Sequence, residues 1–201
     1  MAGSQKLIDQ YRAIHATESY GNTSVKNLRF LRPEVELLRP RSVVDYGCGQ
    51  SKLLEALGLA ADVRLVRYDP AIPAFQERPR DVSDLLLNVD VLEHIEEGDI
   101  DDVLADMRSL CRNAIIIVDT APAVRTLDDG RNAHVSLHPH AWWRDRISRH
   151  FGALEVVGTA RRTRAGFKTW SHDRDQRRQY WRLRAAETAR HLGAKLTRRP
   201  R

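Results

Sequence analysis

Apolar residues recur along this chain with two different periods. Over residues 4–16, Leu7, Ile8, Tyr11, Ile14 and His15 fall on one face of a predicted helix capped by Ser4. "ESYGNTS" interrupts it, and short helical pieces are predicted over Val25–Leu31 and Glu34–Leu38. The pattern then changes to unbroken apolar runs: Val43–Asp45, "DVRLVRYD", "DLLLNVD" and "NAIIIVD". Between them helical spacing returns, from Ser51 to about Leu57 and after Asp99, where Ile100, Val103, Leu104, Met107 and Leu110 recur as one face. Strands that read as continuous apolar runs and alternate with helices predict an α/β fold. Its sheet is doubly wound and mostly parallel, with helices on both faces.

Beyond the fourth strand, "TAPAVRTLDDGRN" is longer than a plain connector needs and reads as a lid or functional loop. "HAWWRDRISRHF" is predicted helical, "ALEVVGTA" and "GFKTWS" are predicted closing strands, and "DRDQRRQYWRLRAAETARHLGAK" a charged helix with few apolar residues to bury. Three segments follow from this: an N-terminal helical cap over 1–40, a nucleotide-type α/β domain over 41–171, and a basic C-terminal helix over 172–201.

Charge sharpens that division. The chain carries a net charge of +6, yet from Arg161 to Arg201 there are 14 Lys and Arg against three acids. Residues 1–160 hold 19 bases and 24 acids, so a mildly acidic body bears a basic tail, a candidate contact for a polyanion. The longest apolar run, around Ile115–Val118, is too short to span a bilayer, and the first residues lack the apolar core of a secretory signal. The expected location is cytoplasmic. Cys48 and Cys111 are too few for a disulfide framework and are expected to be reduced.

The most informative stretch is "SVVDYGCGQSKLLEAL" at residues 42–57. A strand ending at Gly47, with Gly49 one residue on and a helix from Ser51, lets the backbone approach a ligand and offers helix N–H groups to an anion. A dinucleotide fingerprint needs Gly or Ala where Lys52 stands, and no Gly-Lys pair exists for a Walker loop. A carboxylate, Asp45, two residues before the G-x-G turn suits a ligand with an ammonium group beside a carboxylate.

Four segments resemble, in order, the class I S-adenosylmethionine-dependent methyltransferases, which have a Rossmann-like fold: "VVDYGCGQS", "LVRYDP", "LLLNVDVLEHIEE" and "NAHVSLHPHAWWRDRISRHFGALEVV". The long loop is similar to that of a bacterial and phage subgroup of unassigned substrate. The resemblance spans roughly residues 40 to 160 and implies S-adenosylmethionine as cofactor. It implies that Asp45, Gly47 and Gly49 form the methionine-side turn, that Asp69 holds the ribose hydroxyls, and that Val89 and Asp90 line the site. It also implies a histidine–strand–helix–strand ending. Ser51 stands where a third glycine is usual, and "PAIPAFQERPRD" is too short for a full third strand and helix.

On the acceptor side, His134 follows the lid-like loop and is the candidate general base. His134, His138 and His140 have near-metal spacing, but Pro139 makes a continuous helix through His138 unfavourable and no cysteine or paired acid completes a set, so no metal is expected. Glu93 and the acids after it are read as charges near helix N-termini. At least one of Trp142 and Trp143 is expected in the core. The expected activity is methyl transfer to a hydroxyl or amine of a small-molecule or glycan acceptor. The alternatives are a nucleic-acid methyltransferase using the basic tail and a non-catalytic cofactor-binding module for a partner. "NVDV" stands where base-amine methyltransferases usually carry N-P-P-[YF].

Overall fold

A computed structural model describes residues 5–18 and 23–197, with side chains to residue 193. The predicted cap Ser4 lies outside the described residues. The chain runs through α1 (Gln5–Thr17), α2 (Leu28–Leu38), β1 (Ser42–Tyr46), α3 (Leu53–Leu57), β2 (Arg64–Tyr68), β3 (Ser83–Val89), α4 (Ile100–Ser109), β4 (Cys111–Asp119), α5 (His140–Phe151), β5 (Glu155–Val156), β6 (Arg164–Lys168) and α6 (Arg174–Thr197). Six strands form one sheet in the order β2-β1-β3-β4-β6-β5. The first four are parallel, while β6 runs antiparallel to β4 and β5 antiparallel to β6.

Strand geometry alternates side chains between faces, and the two cores follow that parity. Val43, Leu85, Leu87, Val89, Ile115 and Ile117 pack with Leu31 and Val35 of α2 and Leu53, Leu54 and Leu57 of α3. Their neighbours Val44, Tyr46, Leu86, Ile116 and Val118 pack on the other face with Val103, Leu104 and Met107 of α4 and Trp143 and Ile147 of α5. The sheet is therefore covered on both faces. Residues 69–82 after β2 hold one short turn of helix (Pro73–Phe75) and no strand, so β2 is an edge strand. Cys48 and Cys111 are buried free thiols, the second opening β4.

Three local expectations differ from the structure. The two helical pieces near residues 25–38 are a turn of 3-10 helix (Ser24–Asn27) running into one continuous α2 with Pro33 inside. Proline lacks the N–H that would bond the carbonyl four residues back. That carbonyl, of Arg29, accepts instead from the Arg184 guanidinium of α6 at 2.5 Å. The last closing strand is β6, which ends at Lys168 where "GFKTWS" continues. No strand follows His134: Ser136 donates its N–H to the Glu93 carbonyl (3.1 Å) and its hydroxyl to the Ile95 carbonyl (2.6 Å), which binds this segment to a loop and away from the sheet.

The basic helix α6 lies along α2. Glu187 is buried and pairs with Arg32 (3.3 Å) and Arg190 (2.6 Å), and Arg184 sits over the Phe30 ring. At its start, buried Glu34 of α2 accepts from Lys168 (2.8 Å) and is paired with His172 (2.7 Å). Among the described residues no helix is long and apolar enough to cross a membrane.

Candidate functional site

Strand order reverses at β1, which sends β2 to one side and β3 to the other. In open α/β sheets such a switch point opens a crevice beyond the carboxyl ends of the strands. The turn after β1 borders it. Gly47 (φ 77°) and Gly49 (φ 49°) adopt left-handed backbone, a conformation costly for residues with a Cβ. A Cβ on Gly47 would also lie 2.5 Å from Val91 Cγ2, so here the turn is pressed against the segment leaving β3. Gly47 and Cys48 both donate to the Tyr68 carbonyl at the end of β2 (2.8 and 3.1 Å). Ser51, in the place of a third glycine, puts its hydroxyl to use: it accepts from Leu53 N–H (3.1 Å) and is hydrogen-bonded to Ser24.

Asp69 follows β2 and is buried. One carboxylate oxygen accepts from Gly49 N–H (2.8 Å) and the other from Ala71 N–H (2.9 Å), which ties the glycine turn to the loop after β2. Asp45, the penultimate residue of β1, is 3% exposed. Among the described residues no basic group lies within ion-pair distance of it. Burial pushes its carboxyl up to about 7, with Arg67 opposing and Asp69 and Glu55 reinforcing.

Val89 ends β3 with its side chain in the α2–α3 core, and Asp90 follows with a positive φ of 59°. Asp90 is fixed by its neighbours: one oxygen accepts from Arg164 (2.6 Å) and Thr23 (2.8 Å), while its other oxygen is buried without a partner. Arg164, from β6, also faces Asp119 at the end of β4 at 3.4 Å. Burial raises the Asp90 carboxyl, and the Arg164 guanidinium works against that rise.

Next along the chain come Glu93, buried, and His94, half-buried. The structure corrects the reading of Glu93 as a helix-end charge: it is wholly buried. One carboxyl oxygen accepts from Asp119 N–H (3.1 Å), the other is buried without a partner, and burial raises its pKa well above the ordinary carboxylate range. His94 Nδ1 lies 2.9 Å from the Ala133 carbonyl and 2.7 Å from Tyr11 Oη, and burial pushes it down to about 4. Tyr11 donates to the same carbonyl (2.9 Å), so α1 lies across the crevice and is fastened to it. Gln50 reaches α1 as well, donating to the His15 carbonyl at 2.8 Å.

His134 enters the same cluster: its ring meets that of His94 edge-on at 4.8 Å, and Nδ1 lies 2.5 Å from the Ala121 carbonyl. One potential ligating atom each from Glu93, His94 and His134 lies within 4.8 Å of the other two. His138 and His140 do not join them. His138 stacks on Trp142 (3.7 Å between centroids) and bonds Glu97, while His140 begins α5. Trp143 is fully buried in the core. The long loop forms a small hairpin, Thr126 bridging Asn132 around Gly130, whose Leu127 and Ala133 pack on Leu7 and Ile14 of α1.

All the expected cofactor-side residues therefore stand at the carboxyl ends of β1, β2 and β3. Sequence reasoning missed Thr23, His94 and Arg164, and undervalued Glu93. Only the Glu-His pair directly after a buried strand was a visible sign of them.

No protein-family model matches the chain, and no curated protein matches it by sequence. Solved structures do share its fold. The DhpI–SAH complex superposes with a TM-score of 0.56 at 15% identity, over 82% of this chain and 97% of that one. The 1,6-didemethyltoxoflavin-N1-methyltransferase of Burkholderia thailandensis, with bound 1,6-didemethyltoxoflavin and S-adenosylhomocysteine, gives 0.58 at 13% identity, over 86% and 92%. The methyltransferase domain of bacterial CtHen1 gives 0.52 at 13%, over 73% and 98%. The fold is the Rossmann-like fold of these methyltransferases.

Proposed function

We propose that this protein is an S-adenosylmethionine-dependent methyltransferase acting on a hydroxyl or amine of a small-molecule acceptor. The observation that carries the proposal is Asp45: a buried carboxyl without an ion-pair partner, next to a left-handed glycine turn at the switch point. An ammonium group is the complement it lacks. Near it, Asp90 Oδ1 and Glu93 Oε2 are buried without a partner, as are the Nε and Nη1 donors of Arg164. The Asp45 carboxyl fits a ligand carrying positive charge, as S-adenosylmethionine does at its ammonium.

When bound, the cofactor supplies a methyl group on a good leaving group. The chain's part is to bind, orient and manage one proton. Asp45 takes the ammonium. Gly47 and Gly49 keep the wall free of side chains, and Asp69 braces the turn with lone pairs still available toward the ribose hydroxyls. Val89 and Asp90 form the facing wall. His134 stands on the acceptor side, its Nδ1 held by the Ala121 carbonyl and its Nε2 the atom to take a proton. A small acceptor agrees with α1 and the Thr126–Asn132 hairpin roofing the crevice. The Burkholderia thailandensis neighbour likewise holds a small molecule beside S-adenosylhomocysteine.

The test is direct. S-adenosylhomocysteine should raise the melting temperature in a saturable way, whereas NAD and ATP should not, and labelled methyl groups should appear in a small-molecule fraction of cell extract. Equal stabilisation by NAD would remove the assignment.

A second reading, methylation of nucleic acid, draws on one observation. A groove of about 720 Å³ between α2, α3 and α6 is lined by Arg32, Arg39, Arg41 and Arg190, with Glu36, Asp62 and Glu187 among them. It lies at the amino ends of β1 and β2, opposite the crevice, so only a long polyanion would reach both. RNA binding with a log–log salt slope of about −0.9 per phosphate, and label recovered in RNA, would favour it. Label recovered in neither fraction, with S-adenosylhomocysteine still bound, would leave a cofactor-binding module.

A further inference from the structure

The end of β2 holds the glycine turn from both sides of one residue. Gly49 donates its N–H to Asp69 Oδ2 at 2.8 Å, and its carbonyl accepts from Arg67 Nη2 at 3.2 Å. The same Nη2 donates to the Ser51 carbonyl at 2.6 Å. Arg67 lies in β2 and Asp69 follows it, so one strand end supplies both the acceptor and the donor. The N–H and the carbonyl belong to the two peptide planes that meet at Gly49. Holding both fixes its left-handed backbone (φ 49°), which glycine would otherwise leave freely.

The guanidinium is itself held in place. It lies 4.1 Å over the Phe75 ring and 3.7 Å from Glu55 of α3, and the Phe75 carbonyl accepts the Asp69 N–H at 2.9 Å. Arg67 is paired in register with Asp45 on the neighbouring strand. Parallel neighbours lie about 4.8 Å apart with their side chains on one face. The Arg67 side chain runs on to the turn carbonyls, which keeps it outside ion-pair distance of Asp45 but close enough to act on it. The other groups around Asp45 add no positive charge. Asp69 and Glu55 are acids. The Cys48 thiol is pushed up to about 12 by burial and keeps its proton. His15 of α1 acts on Asp69, and burial lowers its pKa, which favours the neutral ring.

From this geometry we infer that Arg67 is a positioning residue of the site: it holds the glycine turn by two carbonyls and presents a positive charge to Asp45 without neutralising it. Its part in cofactor binding rests on the methyl-transfer reading above; its hold on the turn and on Asp45 does not. A direct ion pair would occupy the Asp45 oxygens and compete with an ammonium group. A cation set back from them, tied to backbone carbonyls and a ring face, favours the ionised carboxylate and leaves both oxygens for the ligand. Without Arg67, burial, Asp69 and Glu55 all act in one direction, and Asp45 holds its proton to higher pH. Lysine carries the same charge, but lacks the planar guanidinium that stacks on Phe75 while donating in plane.

The experiment follows the Asp45 carboxyl by carbon-13 NMR in the ligand-free full chain, its signal assigned by its loss in Asp45→Asn. S-adenosylhomocysteine affinity is measured by calorimetry across the same pH range. Arg67→Met should raise the midpoint of the Asp45 titration by about one pH unit or more and weaken S-adenosylhomocysteine roughly tenfold at neutral pH. Arg67→Lys should restore the midpoint and part of the affinity, because it returns the charge without the full hold on the turn. An affinity lowered by one factor at every pH, with the midpoint unmoved, would make Arg67 an ordinary structural residue and overturn the inference. If Arg67→Met fails to fold, Glu55→Gln carries the test: removing this acid beside Arg67 should lower the midpoint, and an unmoved midpoint overturns the inference. A parent chain that does not bind S-adenosylhomocysteine sinks the methyl-transfer reading, and the NMR midpoint still decides the role of Arg67. A parent chain that binds it, with affinity and midpoint both unchanged in Arg67→Met, leaves that reading intact and sinks this inference.

Discussion

Replacing Asp45 by Asn should stabilise the fold and weaken the ligand, two effects of opposite sign from one change. In the folded chain burial moves the Asp45 carboxyl from its ordinary 3.8 to about 7. That distance corresponds to about 4 kcal/mol of differential cost for the ionised form. Below pH 3.8 folded and unfolded chains both hold the proton and the residue contributes no pH dependence. As pH rises from there the unfolded chain releases the proton and the folded chain keeps it, so stability falls until the folded group ionises near 7 and then levels off. Asn cannot ionise. At pH 8 Asp45→Asn should therefore be more stable than the parent chain by up to about 4 kcal/mol, and near pH 4 the two should converge. For S-adenosylhomocysteine the sign reverses: the variant loses a charge-assisted contact worth about 1.5–3 kcal/mol, or roughly 10- to 150-fold in Kd. The parent chain must release the Asp45 proton to bind, so its affinity should climb by up to about tenfold per pH unit below 7, while that of the variant stays flat. Urea unfolding at pH 4, 6 and 8, with calorimetry at pH 5.5, 6.5 and 7.5, reads both effects. A variant that binds as well as the parent, or that gains nothing in stability at pH 8, would refute the reasoning.

Three further outcomes are expected. Gly47→Ala combines a left-handed φ with a Cβ 2.5 Å from Val91 and should cost about 2–4 kcal/mol in urea unfolding, part of it recovered by adding Val91→Ala. Arg164→Met leaves Asp90 and Asp119 without their buried cation; a loss of about 3–5 kcal/mol is expected at pH 8, shrinking as pH is lowered and the Asp90 carboxyl, already raised by burial, protonates. Arg184→Met frees the Arg29 carbonyl inside α2 and should cost about 1–2 kcal/mol with the Kd for S-adenosylhomocysteine unchanged. A matching loss of ligand affinity would mean that α6 reaches the crevice.

The strands were legible because a sheet buried on both faces leaves unbroken apolar runs, as at Leu85–Leu87 and Ile115–Val118. The glycine turn was legible for a similar reason: its chemistry is local. What escaped was what distant residues decide. Pro33 reads as a helix break, and the arginine that makes it tolerable lies 155 residues beyond Arg29, whose carbonyl it satisfies. The segment after His134 has the composition of a strand, but its hydrogen bonds go to the Glu93–Ile95 loop. Glu93 looks like one acid among several; only the packing around it makes it buried. The convergence of His94 with His134 depends on two carbonyls that no spacing rule encodes.

The Arg164 clamp also sets an order of events. A ribosome delivers Asp90 and Asp119 well before it delivers the arginine that neutralises them, and it delivers β6 after every other central strand. While the chain is being made, four parallel strands can collapse with their helices, but the mouth of the crevice holds two carboxylates facing a missing cation. Closing it at that stage would bury uncompensated charge. Until residue 164 is made, the Asp90–Asp119 corner of the crevice lacks its cation, and a chain ending before it should not close that corner as the full chain does.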